Sequence, residues 1–122
     1  MITAYDTPTL LAAPYLICLV GAATFGFLTF DRLLRLEYEE HHAEWIRDGK
    51  PDGIILHFQG GSWIYGTFAR NKVGFRWLFR TPGWMEASPQ AMRLLRRFRV
   101  CVAVWNIGLL TLLAIVAVTI RQ

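Results

Sequence analysis

Charge is nearly absent from both ends of this chain and concentrated in its middle. Asp6 is the single charged residue before Asp31, and Arg121 the single one after Arg99. Residues 10–30 and 100–120 form two apolar blocks of twenty-one residues each. Pro14 stands near the start of the first, and Asn106 is the one strongly polar side chain of the second. At ~1.5 Å per residue each block makes a helix of ~30 Å, the thickness of a hydrocarbon core. A soluble domain with 54% apolar and 18% charged residues would spread its charges along every element. Their segregation predicts lipid as the solvent of both blocks. A cleaved signal peptide is disfavoured, because no basic residue precedes the first block and the block is too long for an h-region.

The predicted fold is an all-α membrane protein. It is a hairpin of two transmembrane helices with helical cytoplasmic extensions and an interfacial amphipathic segment. Residues 1–9 are a short external N-terminus, 10–30 the first span and 31–48 a helical extension of it. Residues 49–87 form an aromatic-basic loop, 88–99 a basic helical lead-in and 100–120 the second span. Orientation follows from the basic residues: of 13 Lys and Arg, 12 lie between the blocks. Arg32 and Arg35 follow the first block directly, and Arg93, Arg96, Arg97 and Arg99 precede the second. By the positive-inside rule the loop is cytoplasmic and both termini are outside.

Local signals set the ends of the extensions. Gly49-Lys50-Pro51 is a C-cap glycine followed by a helix-stopping proline, and Ser88-Pro89 is an N-cap with proline at the first helical position. Between them, 59–80 contains Arg70, Lys72, Arg76 and Arg80 and no acid. Ile64, Phe68, Phe75 and Phe79 recur at helical spacing, so with Ser62 as its cap this stretch reads as a basic amphipathic helix on the inner leaflet. Trp63, Tyr65, Trp77 and Trp84 suit the headgroup layer. The site residues of this interfacial segment are Trp63, Lys72, Arg76, Trp77 and Arg80. The competing reading is a β-hairpin of 54–58 and 63–68 turning at Gly60-Gly61.

Two contact surfaces are expected. Cys18, Ala22 and Gly26 recur every fourth residue, the small-residue pattern that lets membrane helices approach closely, and Asn106 on the second span is placed to hydrogen-bond across helices. That face serves either a partner or the hairpin itself. Glu37 stands at the height of Arg93, and Asp31 near Arg97 and Arg99. Either these arms pair, or Arg93, Arg96, Arg97 and Arg99 meet anionic headgroups at ~1 kcal/mol each. Cys18 and Cys101 differ in depth by roughly 16 Å, whereas a disulfide needs Cα atoms within ~7 Å.

Chemistry is sparse. His41 and His42 point ~100° apart on a helix and so cannot chelate one ion together. Glu39 and His42 form one Glu-x-x-His unit, but a di-metal carboxylate site needs two units and two further glutamates. No metal site is expected. No cofactor is expected either, a haem or chlorophyll on His41 or His42 being the remote alternative. No nucleophile is paired with a base and no phosphate-binding fingerprint occurs, so the chain is read as non-catalytic. Basic and aromatic residues beside two spans point to lipid rather than nucleic acid.

Glu-His-His-Ala-Glu-Trp at 40–45, Asp-Gly-Lys-Pro at 48–51, the aromatic-basic helix ending at Phe79-Arg80 and the arginine-rich run 92–100 entering the last span form an ordered set. In this layout the chain resembles the universal stress protein B type of two-span bacterial inner-membrane protein. The resemblance implies a bacterial cytoplasmic-membrane protein and no catalytic residues. The expected function is that of an accessory or structural subunit docking on a larger membrane complex. The alternatives are a free-standing protein that self-associates or binds anionic lipid, and a subunit holding a histidine-ligated cofactor or pigment.

Overall fold

A computed structural model describes residues 6–55, 57, 58, 60 and 63–122, with residues 6–9 and 63 described by their backbone alone. Most of the described residues are helical, and none of them forms a strand. In chain order the helices are α1 (Asp6–Glu40), α2 (His42–Arg47), α3 (Trp63–Phe79), α4 (Gly83–Glu86) and α5 (Pro89–Ile120). Of the two readings of the central loop, the helix is the one observed, and 54–58 shows no strand among its described residues. Ser62 and the Trp63 side chain lie outside the described residues.

α1 and α5 are both long and apolar enough to cross a membrane. They pack antiparallel. They approach closely at Gly26, where a built Cβ would stand 3.0 Å from the Cβ of Cys101. Farther along, Tyr15 donates its hydroxyl to the Gly108 carbonyl at 2.6 Å, and the Leu19 side chain occupies the space a Cβ on Gly108 would need. Glycine thus faces a larger residue on the partner helix at two levels, which lets the backbones close up. The outer surface of the pair stays uncovered, and none of the most apolar eighteen residues of α5 is buried.

At the charged end of the pair the remaining elements build a compact head. Its core joins Leu33 and Leu34 of α1, Trp77 of α3, Met85 of α4 and Leu95 of α5, all fully buried. Each such side chain contributes roughly 1.5–3 kcal/mol by leaving water. Phe30 stacks on Phe98 with ring centroids 5.1 Å apart and meets Trp77 edge-on at 5.6 Å. These contacts weld the head to the pair at the level where the apolar blocks begin.

The helical extension expected over 31–48 is interrupted once. His41 leaves the helix (φ −132°, ψ 52°), and α2 starts anew at His42. The His41 ring packs against Trp84 at 4.7 Å, a tertiary contact that a straight helix does not supply. α2 then ends as the sequence predicts. Gly49 (φ +90°) donates to the Ile46 carbonyl and Lys50 to the Trp45 carbonyl, a Schellman cap. Ser88 caps α5 by accepting from the Ala91 amide at 3.3 Å, with Pro89 in the first turn.

Candidate functional site

The head is held in place by carboxylate and arginine side chains that bond backbone groups, some of them far away in sequence. Asp31, buried where the first apolar block ends, accepts the amides of Ile54 and Ile55, both at 2.7 Å. Asp52 accepts from the Gly53 and Phe58 amides and meets His57 Nδ1 at 2.8 Å. Trp45 donates its indole N–H to the Pro51 carbonyl at 2.9 Å. Arg99, the last charge before the second block, donates to the Trp77 carbonyl at 2.9 Å and to the Thr81 hydroxyl at 3.1 Å. A cation on the last carbonyls of α3 also meets the negative end of the helix dipole.

These bonds alter the expected pairing of the arms. Among the described residues no ion pair joins Glu37 to Arg93, so of the two readings of these arms that pairing is not the one seen. Glu37 sits instead on the face of α1 that carries Leu33 and Leu34, and it is fully buried. Asp31 serves the amides of 54–55, and Arg99 serves α3. Arg93, Arg96 and Arg97 project outward and are exposed.

Glu37 is the most unusual group in the head. It lies two turns beyond the first apolar block, and neither carboxyl oxygen completes a hydrogen bond of ordinary geometry among the described residues. Asp48 and the Trp84 indole are its neighbours, and Asp48 is itself bound to Arg76 at 2.6 Å. Burial, reinforced by the Asp48 carboxylate, pushes the Glu37 acid from 4.5 up to about 9, while Trp84 and Arg76 oppose the shift. Glu37 is therefore a neutral acid at pH 7, able to donate a proton. Its neighbours Asp48 and Trp84, with Arg47, Arg76 and Arg80, line a cleft of about 500 Å³, which Glu37 itself does not line. Within that cleft Glu44 binds Arg47 at 3.0 Å.

α3 carries apolar residues on two opposite sides. Val73 and Trp77 face the core, whereas Ile64, Phe68, Phe75 and Phe79 fall within about 60° of one another at ~100° per residue. Those four are exposed, Phe68, Phe75 and Phe79 each by about 70%. Lys72 is exposed beside this ridge, whereas Arg80, one residue past the end of α3, is exposed at the cleft that Asp48 and Trp84 line. Arg76 is tied to Asp48, and Arg70 donates to the Gly53 carbonyl at 3.1 Å. Trp77, expected in the headgroup layer, is instead a core residue, because the tertiary fold buries the side of α3 opposite the phenylalanines.

The small-residue face divides. Ala22 and Gly26 line a narrow pocket against Phe98, Cys101 and Trp105, so they serve the α1–α5 contact itself. Cys18 is exposed, and both cysteines are free thiols. Asn106 donates to its own helix, to the Val102 carbonyl at 2.7 Å, not across to α1. Of the two histidines expected as remote ligand candidates, His41 packs on Trp84, and His42 contacts the Tyr38 carbonyl at 2.9 Å. Glu39 is paired with Arg35 at 3.1 Å. No cluster of three metal-ligating side chains occurs among the described residues.

Sequence reasoning missed Asp31, Asp52 and Arg99 as braces of the head and Glu37 as a buried acid. For Glu37 a signal existed, since its spacing from Leu33 and Leu34 places it on the same apolar helix face. Compared with known proteins, the chain matches no family model, no curated protein and no solved structure.

Proposed function

We propose that α1 and α5 cross a bacterial cytoplasmic membrane as a hairpin, and that the chain acts as a non-catalytic accessory or structural subunit of a larger membrane assembly. The observation that carries this reading is the contrast between the two ends of the helix pair. Toward the termini the pair is apolar and almost wholly uncovered. At the charged end a folded head is bonded directly to its base through Asp31 and Arg99. A surface of that kind needs lipid or other membrane helices to cover it.

In this arrangement the head is cytoplasmic, both termini are outside, and Arg93, Arg96 and Arg97 meet the anionic inner leaflet. Because Ala22 and Gly26 are used inside the hairpin, the docking face for other subunits is the outer side of α1 and α5, including exposed Cys18. α3 lies along the membrane surface with its phenylalanine ridge in the headgroup region. The resemblance to the universal stress protein B type supports the same compartment.

A second reading, a free-standing protein that self-associates or binds anionic lipid, is favoured by one observation. The α3 ridge joins the apolar surface of the spans through a shared groove holding Phe27 and Phe75. Affinity purification of the tagged full chain from native membranes in mild detergent, with mass spectrometry of the eluate, separates the two. Stoichiometric recovery of one larger complex is expected. Recovery of this chain alone would replace the accessory-subunit reading with the free-standing one.

A further inference from the structure

The head leaves one groove open at the height where the apolar blocks end. It measures about 270 Å³ and runs between α3 and the base of the helix pair. Phe27 and Phe30 of α1 line one wall, and Phe75 and Leu78 of α3 line the other. Phe27 is 49% exposed and Phe75 68%, so the groove opens onto the apolar surface of the first span and onto the ridge of α3 alike. Gly74 lets the two walls come this near, since a Cβ there would stand 3.3 Å from the Phe30 ring.

The groove is not apolar throughout. Arg70 and Asn71 also line it. One guanidinium nitrogen of Arg70 is anchored on the Gly53 carbonyl, which fixes the group's position. A guanidinium carries five N–H donors, so one anchored nitrogen leaves donors to meet a phosphate oxygen. The depth is set independently by Asp31, which bonds the Ile54 amide and so ties the Ile54 rim of the groove to the first residue after the apolar block. That is the level of lipid phosphates when α1 spans the bilayer.

We propose that this groove seats one bilayer phospholipid, with an acyl chain along the aromatic wall and its headgroup phosphate at Arg70 and Asn71. The proposal rests on the membrane-spanning reading of α1 and α5. Two observations select the occupant: the apolar wall is continuous with the span surface, and its polar end carries a positive charge at phosphate height. A helix from another protein would need the ridge of α3 as well as the groove. A lipid needs only the groove. Recognition is of a phosphate joined to an acyl chain, so phosphatidylglycerol and phosphatidylcholine are both bound, whereas inorganic phosphate alone is not.

The test is native mass spectrometry of the full chain in mild detergent after delipidation and addition of phosphatidylglycerol, phosphatidylcholine or inorganic phosphate. The expected result is one phospholipid retained per chain with either lipid, and no phosphate adduct. Asn71→Trp blocks the mouth from an exposed position and lowers retention at least about tenfold, equivalent to ~1.4 kcal/mol. Phe27→Trp narrows the opposite end and acts in the same direction, while Tyr65→Trp, outside the groove, leaves retention unchanged. Far-UV helicity equal to the unsubstituted chain shows that each variant is folded. Absence of a stoichiometric lipid, or retention by both blocking variants equal to that of the unsubstituted chain, overturns the proposal. Alkaline extraction of native membranes separates this failure from that of the underlying reading. A chain that stays in the pellet yet holds no lipid refutes the groove alone, and a chain released into the supernatant refutes the spans as well.

Discussion

Replacing Gly26 tests the contact that joins the two long helices. A Cβ at this position would stand 3.0 Å from the Cβ of Cys101, tighter than all but a small minority of real Cβ contacts, and the opposing atom lies next to the backbone rather than at a flexible tip. The helices must therefore shift apart, and the nearby contacts among Phe98, Val102 and Trp105 loosen with them. Overpacking of this kind costs about 1–3 kcal/mol. Gly26→Ala falls at the lower end of that range and Gly26→Leu at or above the upper end. The assay is reversible unfolding of the purified chain in mixed micelles, followed by far-UV circular dichroism as the denaturing detergent fraction rises. Cys101→Gly supplies the internal control, because it removes the atom that Gly26→Ala meets. In the double variant most of the loss caused by Gly26→Ala is recovered, a coupling of about 1 kcal/mol for residues in contact. If Gly26→Leu proves neutral, or if the two substitutions are additive, the close approach of α1 and α5 at this level is refuted.

Other outcomes follow from the head. Glu37, held at about 9 by burial against 4.5 when exposed, keeps its proton when folded and loses it when unfolded throughout that window. Stability contributed by this group is thus complete below pH 4.5 and falls as pH rises toward 9, by ~1.4 kcal/mol per unit at most. Glu37→Gln, which has no proton to lose, should gain on the unsubstituted chain as pH rises across the window in parallel unfolding curves. A pH-independent difference would contradict a neutral buried acid. Asp31→Ala frees the partly buried Ile54 and Ile55 amides and should speed hydrogen exchange at both positions by NMR, with about 1 kcal/mol lost per hydrogen bond. Unchanged exchange would show that the carboxylate does not hold this segment. Trp77→Ala should cost about 3–5 kcal/mol by emptying the core, whereas a headgroup-level tryptophan would cost far less in the same unfolding assay.

The two long helices were legible because a helix apolar enough to cross a membrane leaves a one-dimensional signature. Charge must be absent for about twenty consecutive residues, and composition alone records that. Gly49 and Ser88 were legible for a similar reason, since caps are local in sequence and each uses a residue type suited to its backbone. The head was less legible because it is built from contacts that local pattern does not encode. Asp31 reaches amides twenty-three and twenty-four residues away, and Arg99 reaches a carbonyl twenty-two residues back. α3 misled in a specific way. Its outward phenylalanines have the periodicity of an amphipathic helix, but the opposite side is apolar too, and only the tertiary fold decides that Trp77 is buried while Phe75 is exposed. Arg76, read from its spacing as a headgroup contact, is claimed by Asp48 across twenty-eight residues. His41 breaks its helix for a partner, Trp84, that no neighbouring residue announces.

The central claim is that α1 and α5 cross a membrane with the head on one side, and thiol accessibility tests it most directly. In a Cys18→Ser, Cys101→Ser background, single cysteines are introduced by Lys72→Cys in the head and Gln122→Cys at the far end of α5. Each is treated with a membrane-impermeant maleimide in intact cells and again in inverted membrane vesicles. The account predicts that the Gln122→Cys chain is labelled only in intact cells and the Lys72→Cys chain only in inverted vesicles. Labelling of both positions from the same side would contradict a membrane-spanning hairpin.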